Sequence, residues 1–224
     1  MAKKTSSSRK RSRPISKKQK QPNKNMIILA IIAVIIVIAI AGVLLLVNND
    51  TNDDTNGINK DLTAIINTSM GTITVDLYEN KTPNTVNNFV NYANNGFYDG
   101  LVFHRVIDGF MIQGGGFYPD GTKKQTDDPI DLEIHPDARH VDGAIAMART
   151  SNPDSATSQF FIDDGAQPSL EPGGVDPNGY AVFGVVTDGM EVVRSISAVE
   201  TTSRYGRQDW PVDDVIINSV TIEE

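Results

Sequence analysis

The chain has no cysteine, which excludes a disulfide framework, a thiolate metal centre and a cysteine nucleophile. Histidine is nearly as scarce. His104, His135 and His140 are the full complement, too few for a histidine-rich metal centre. His104 reads as structural, and the other two as loop residues. The single tryptophan, Trp210, reads as a surface or edge packer near the C-terminal strand. Acidic residues are missing from the first 49 positions, whereas ten of the 20 Lys and Arg lie in residues 1–25. Residues 48–224 hold ten basic and 28 acidic residues, a formal charge of −18. That balance excludes nucleic acid as a partner of the main domain, because phosphate contacts need clustered Lys and Arg. Also absent are G-x-S-x-G, G-x-x-x-x-G-K-[ST] and H-E-x-x-H, the marks of a nucleophile elbow, a phosphate loop and a zinc protease. The acidic pairs Asp127-Asp128 and Asp163-Asp164 lie in polar turns and read as solvated, not as a hydrolase dyad.

What is present divides the chain. Residues 1–25 are a basic tail too poor in apolar residues to fold alone. Residues 26–47, MIILAIIAVIIVIAIAGVLLLV, are 22 apolar residues without a charge. As a helix they would span about 33 Å, enough for a bilayer core of roughly 30 Å. The flanking charge places the N-terminus in the cytoplasm and the rest outside. A cleaved signal peptide is the rival reading, but its apolar region would be shorter and end in a small-residue site. The expectation is therefore a signal anchor, with a membrane-anchored, single-pass topology and an extracytoplasmic domain. Residues 48–60 form a polar linker. Asn49, Asn67 and Asn80 each begin an N-x-S/T sequon.

From residue 61 onward the pattern changes to short strands. Leu62–Asn67 and Thr72–Tyr78 read as a hairpin. Thr82 and Pro83 offer a helix N-cap and first turn, and Gly96 a stop. Val86, Phe89, Val90 and Ala93 recur at helical spacing as one buried stripe. Further strands are expected at 101–107, 110–113, 130–134, 143–148, 158–162, 181–185 and 214–222, with a second helix over 189–196. The fold class is mainly β, a closed antiparallel barrel with helical caps. A long Gly/Pro-rich loop, DDGAQPSLEPGGVDPNGY, separates two of the strands.

Three segments carry the chemistry: FHRVIDGFMIQGGG (103–116), AMARTSNPDSATSQFFI (146–162) and YAVFGVV (180–186). The first sets a permanently charged Arg105 among Phe103, Val106, Ile107, Phe110, Met111 and Ile112. Gly114–Gly116 reads as a backbone turn, since no helix start follows to make a phosphate cradle. By periodicity alone Phe110, Met111 and Phe161 could equally be core.

Together the segments resemble the signatures of the cyclophilins, the cyclophilin-type peptidyl-prolyl cis-trans isomerases, most closely their bacterial and archaeal branch. The resemblance runs from about residue 62 to 222. It implies an eight-stranded antiparallel barrel capped by two α-helices, here preceded by one transmembrane helix. It implies proline-containing peptides and unfolded proteins as substrates, no cofactor, no metal, and a monomer. Arg105 would be the catalytic arginine and Gln113 its polar neighbour. Phe110, Met111, Phe161 and Leu170 would line the proline pocket, Ala148 and Arg149 would form the rim, and Gln159 would support them. Tyr180 falls where many eukaryotic members carry histidine. Ser169 stands where many members have a tryptophan that contributes to cyclosporin binding, so weak inhibition is expected. A tethered, non-catalytic prolyl-peptide binder is the alternative, but binding alone would not need Arg105.

Overall fold

The computed structural model describes residues 62–224. The expected apolar span at 26–47 lies outside them, as do the tail and the linker. Among the described residues, no helix is long and apolar enough to cross a membrane.

Alternating burial explains the first two strands. In β1 (Thr63–Thr68) every second residue, beginning with Ala64 and Ile66, turns inward, and β2 (Gly71–Leu77) buries Ile73, Val75 and Leu77. They pair as the expected hairpin, with Thr63 opposite Asp76. Helix α1 (Pro83–Asn94) follows, with Val86, Phe89 and Ala93 buried on one stripe and Tyr92 beside them. Then come β3 (Leu101–Val102), β4 (Arg105–Ile107), β5 (Met111–Gly114), β6 (Ala144–Met147), β7 (Phe160–Asp163) and β8 (Val182–Asp188). Helix α2 (Met190–Ser197), the ribbon β9 (Thr201–Arg204) and β10 (Arg207–Pro211), and β11 (Ile216–Glu223) complete the domain. Gly189, just before α2, has φ 87°. Any Cβ there would collide with the Thr72 carbonyl oxygen.

Nine strands form one antiparallel sheet in the order β3-β11-β1-β2-β8-β6-β7-β5-β4. The expected closed, eight-stranded barrel is thus a curled nine-stranded sheet. The extra strand has a local cause. The segment expected as one strand over 101–107 bends at Phe103 and His104, which serve opposite ends of the sheet. Phe103 N–H donates to Val215 O at 3.0 Å, and His104 N–H donates to Gln113 O at 2.9 Å. Inside the curl, Phe89 meets Phe160 edge-on at 5.6 Å and packs on Tyr98 and Phe183.

Other expectations change with the packing. Thr82 occupies the N-cap position of α1, but its hydroxyl donates to Val182 O instead of capping. The capping oxygens come from Glu133, which accepts from Thr85 N–H and Thr85 Oγ1, both at 2.9 Å. A carboxylate there also complements the positive end of the helix dipole. Residues 130–134 are not a strand: Ile130 makes one isolated bridge to Ala156, and Leu132 N–H donates to the Asp154 carboxylate. Trp210 is fully buried rather than a surface packer. Its ring contacts Phe117 and Tyr205, and its Nε1–H donates to Asp214 Oδ1 at 2.9 Å.

Candidate active site

A strand whose two faces are both covered alternates between two apolar environments instead of between core and water. β5 and β7 behave this way. Ile112, Phe160 and Ile162 point into the main core, while Met111 and Phe161 join a second apolar cluster with Ala146, Leu170 and Val182. Arg105 sits across from Gln113, Gln113 across from Phe161, and Phe161 across from Ala146. One transverse row thus runs from a guanidinium to a wall of apolar groups.

That row borders a cavity of about 240 Å³ lined by Arg105, Phe110, Met111, Gln113, Ala148, Arg149, Phe161, Leu170, Val175 and Tyr180. Nine of the ten residues singled out in the sequence meet there. The tenth, Gln159, lies outside this cavity and accepts a hydrogen bond from Gln113 Nε2 at 3.1 Å. Val175 had no sequence signal; it belongs to the loop after Leu170, whose fold brings it across. Leu170 is buried in a tight 3-10 turn over Pro168–Leu170. Ser169 is exposed and does not line the cavity.

Arg149 contributes to the lining, but its guanidinium is committed to the loop. The side chain is 1% exposed, Nε donates to Gly179 O at 3.0 Å, and Nη2 lies 2.7 Å from Asp176 Oδ1. It also stacks over the Tyr180 ring at 4.6 Å. Arg149 therefore braces the loop carrying Val175.

Arg105 is held differently. Its Nε lies 3.7 Å from Asp209 Oδ2, with both side chains partly exposed. Asp209 adopts φ 59°, a left-handed conformation uncommon outside glycine, at the irregularity in β10 between Arg207 and Trp210. The burial of Trp210 fixes that irregularity. No sequence signal marked Asp209.

Behind Phe161, Asp163 corrects one expectation: it is no solvated turn residue but is buried in β7, its Oδ2 2.8 Å from Nδ1 of His140, a loop residue that is also buried. The imidazole stacks on Phe161 with ring planes 2° apart. Burial pushes the Asp163 carboxyl up to about 6, against the pull of the His140 hydrogen bond and charge. Asp164 is buried too and accepts from Gly109 N–H. Across Arg105, His104 is buried against Phe117, and desolvation, reinforced by the Arg207 charge, lowers its pKa to about 4. Among the described residues, no three His, Asp or Glu side chains converge to hold a metal ion.

This arrangement has relatives. The family model for cyclophilin type peptidyl-prolyl cis-trans isomerases matches residues 63–222, and the chain belongs to that family. A peptidyl-prolyl cis-trans isomerase of Streptomyces antibioticus is 48% identical over 162 residues, covering 71% of this chain and 98% of the relative. Peptidyl-prolyl cis-trans isomerase B of Escherichia coli is 46% identical over 159 residues, covering 70% of this chain and 97% of the relative. Among solved structures, a cyclophilin type isomerase of Cryptosporidium parvum, crystallised in the presence of the dipeptide Ala-Pro, is 28% identical with a TM-score of 0.63. The match covers 72% of this chain and 99% of that one. The protein is a peptidyl-prolyl cis-trans isomerase.

Proposed function

We propose that the proline ring of the substrate occupies the cavity walled by Phe110, Met111, Phe161 and Leu170, and that Arg105 is the catalytic residue. The supporting observation is the position of Arg105, a charged donor at the border of an apolar hollow and tied at Nε to Asp209. Rotating an X-Pro bond breaks amide resonance, a barrier of about 18–20 kcal/mol, and proceeds uncatalysed in tens to hundreds of seconds. No nucleophile is required. The twisted amide nitrogen regains a lone pair that accepts a hydrogen bond, and a guanidinium is a rigid, permanent donor. Catalysis follows because that bond strengthens only in the twisted state. The apolar wall grips the ring and excludes competing water. Gln113, held by Gln159, and the Ala148–Arg149 rim orient the peptide backbone.

Residues 26–47 anchor the enzyme in a membrane as a single-pass monomer, with the domain on the extracytoplasmic side, where it assists folding of exported proteins. The charge asymmetry about the apolar run supports this topology.

The test is the cis/trans relaxation of a short X-Pro peptide with the detergent-solubilised full chain. Arg105→Ala is expected to lower kcat/KM by about 10²–10³-fold; an active Arg105→Ala protein would refute the role. Protease added outside intact cells should digest the domain, and a protected domain would refute the topology. With Ser169 outside the cavity, weak cyclosporin inhibition is expected, and nanomolar inhibition would contradict it.

A further inference from the structure

On the other side of Arg105 from the apolar cavity lies a second hollow of about 560 Å³. It is lined by His104, Phe117, Gln113 and Gln159 and by the hairpin stretch from Gly206 to Asp209. Arg105 and Gln113 line both hollows, so a polypeptide in one continues readily into the other.

The charge of this cleft opposes that of the domain around it. Residues 62–224 contain nine Lys and Arg against 24 Asp and Glu. Three of those nine cations, Arg105, Lys123 and Arg207, line the cleft, with Asp209 as the sole carboxylate.

Pairing makes the contrast sharper. Arg105, Arg139, Arg149, Arg194 and Arg204 each have a carboxylate partner. Lys81 and Lys124 each donate to a backbone carbonyl. Among the described residues, that leaves Lys123 and Arg207 without an oxygen partner, and both face this cleft. Arg207 is held in place by stacking over the Phe117 ring at 4.0 Å. His104, which also lines the hollow, has its Nδ1 buried without a hydrogen-bond partner.

We infer that this cleft receives an acidic side chain of the substrate polypeptide, so that the enzyme favours X-Pro bonds with Asp or Glu nearby. The inference rests on the proposed seating of proline beside Arg105. The acidic residue lies within about three positions of the proline, since an extended chain advances about 3.3–3.6 Å per residue and the two hollows share a wall. Lys123 and Arg207 pair with the carboxylate. Gln113 and Gln159 border its path.

The experiment measures kcat and KM by exchange NMR with the solubilised full chain. The substrates are X-Pro peptides differing only by Glu or Gln, placed in turn at each flanking position. At one or more positions Glu is expected to raise kcat/KM about three- to tenfold, as two partly exposed ion pairs provide. The gain should appear in KM and shrink with added salt. Lys123→Gln with Arg207→Gln should bring the Glu/Gln ratio towards one, and Arg207→Lys should restore part of it. Equal rates for every pair would overturn the inference and leave the seating of proline intact. A preference that survives both glutamine substitutions would also overturn it. Acceleration of no peptide at all would remove the isomerase site and this inference together.

Discussion

Arg105 separates two hollows that are built in different ways. The apolar one arises from regular strands: β5 and β7 are covered on both faces, so the alternation that buries Phe160 in the core also presents Met111 and Phe161 to the cavity. The polar one arises from an irregular hairpin, where Tyr205 and Asp209 both have positive φ and β10 shifts register between Arg207 and Trp210. Regular geometry builds the apolar cavity, and irregular geometry holds the arginine at its edge.

The apolar side is the one to break first. Phe110→Ala removes a half-buried wall, and losing most of an aromatic contact of about 1.5–3 kcal/mol lowers kcat/KM by roughly ten- to a hundredfold. The urea midpoint should move little, because Phe110 is not in the main core. A loss of activity matched by global unfolding would count against its role in the pocket.

The hairpin side has a smaller lever. Asp209→Gly keeps the left-handed backbone and deletes only the carboxylate that meets Arg105 Nε. A partly exposed ion pair of this kind is worth about 0.2–1 kcal/mol, so kcat should fall roughly two- to fivefold with KM little changed. An unchanged kcat would show that Arg105 needs no such tether.

These outcomes bear on what the sequence could reveal. The stripe of Val86, Phe89 and Ala93 was legible because a helix with one wet face has a clear period. The cavity residues were legible only as a motif, since Phe161 alternates between two dry environments and shows no polar neighbour rhythm. Residues 130–134 misled because Ile130, Leu132 and Ile134 alternate like a strand but have no partner ladder, and Ile134 is exposed. The β9–β10 ribbon escaped notice for the opposite reason: β9 is exposed along almost all its length and alternates nothing. Asp163 looked solvated because it is polar and stands beside a turn; only the fold buries it against His140.

The smallest expected effect compares two buried ionisable groups, one near each hollow. Unfolded His104 takes up a proton near pH 6.5, folded His104 only near pH 4. Its contribution is therefore complete above pH 6.5 and is lost as pH falls towards 4. Asp163 has the opposite sign. Folded, it holds its proton up to about pH 6, whereas unfolded it releases it near 3.8, so its contribution declines as pH rises through that window. The slopes oppose, and the urea midpoint should change little between pH 4.5 and 6. His104→Asn should leave the Asp163 slope exposed, making the variant gain stability on acidification. A variant that instead loses stability would reverse the assignment.

The position of β11 has a consequence for timing. This last strand does not lie at the margin of the sheet: it runs between β1, the first strand, and β3. Thr63 lies opposite Glu223, separated by almost the whole domain in sequence. Until β11 is in place, β1 and β3 each lack a neighbour and the curl cannot form. Contacts of such long sequence separation form slowly. The domain therefore completes its sheet only once its two ends, far apart in sequence, have met.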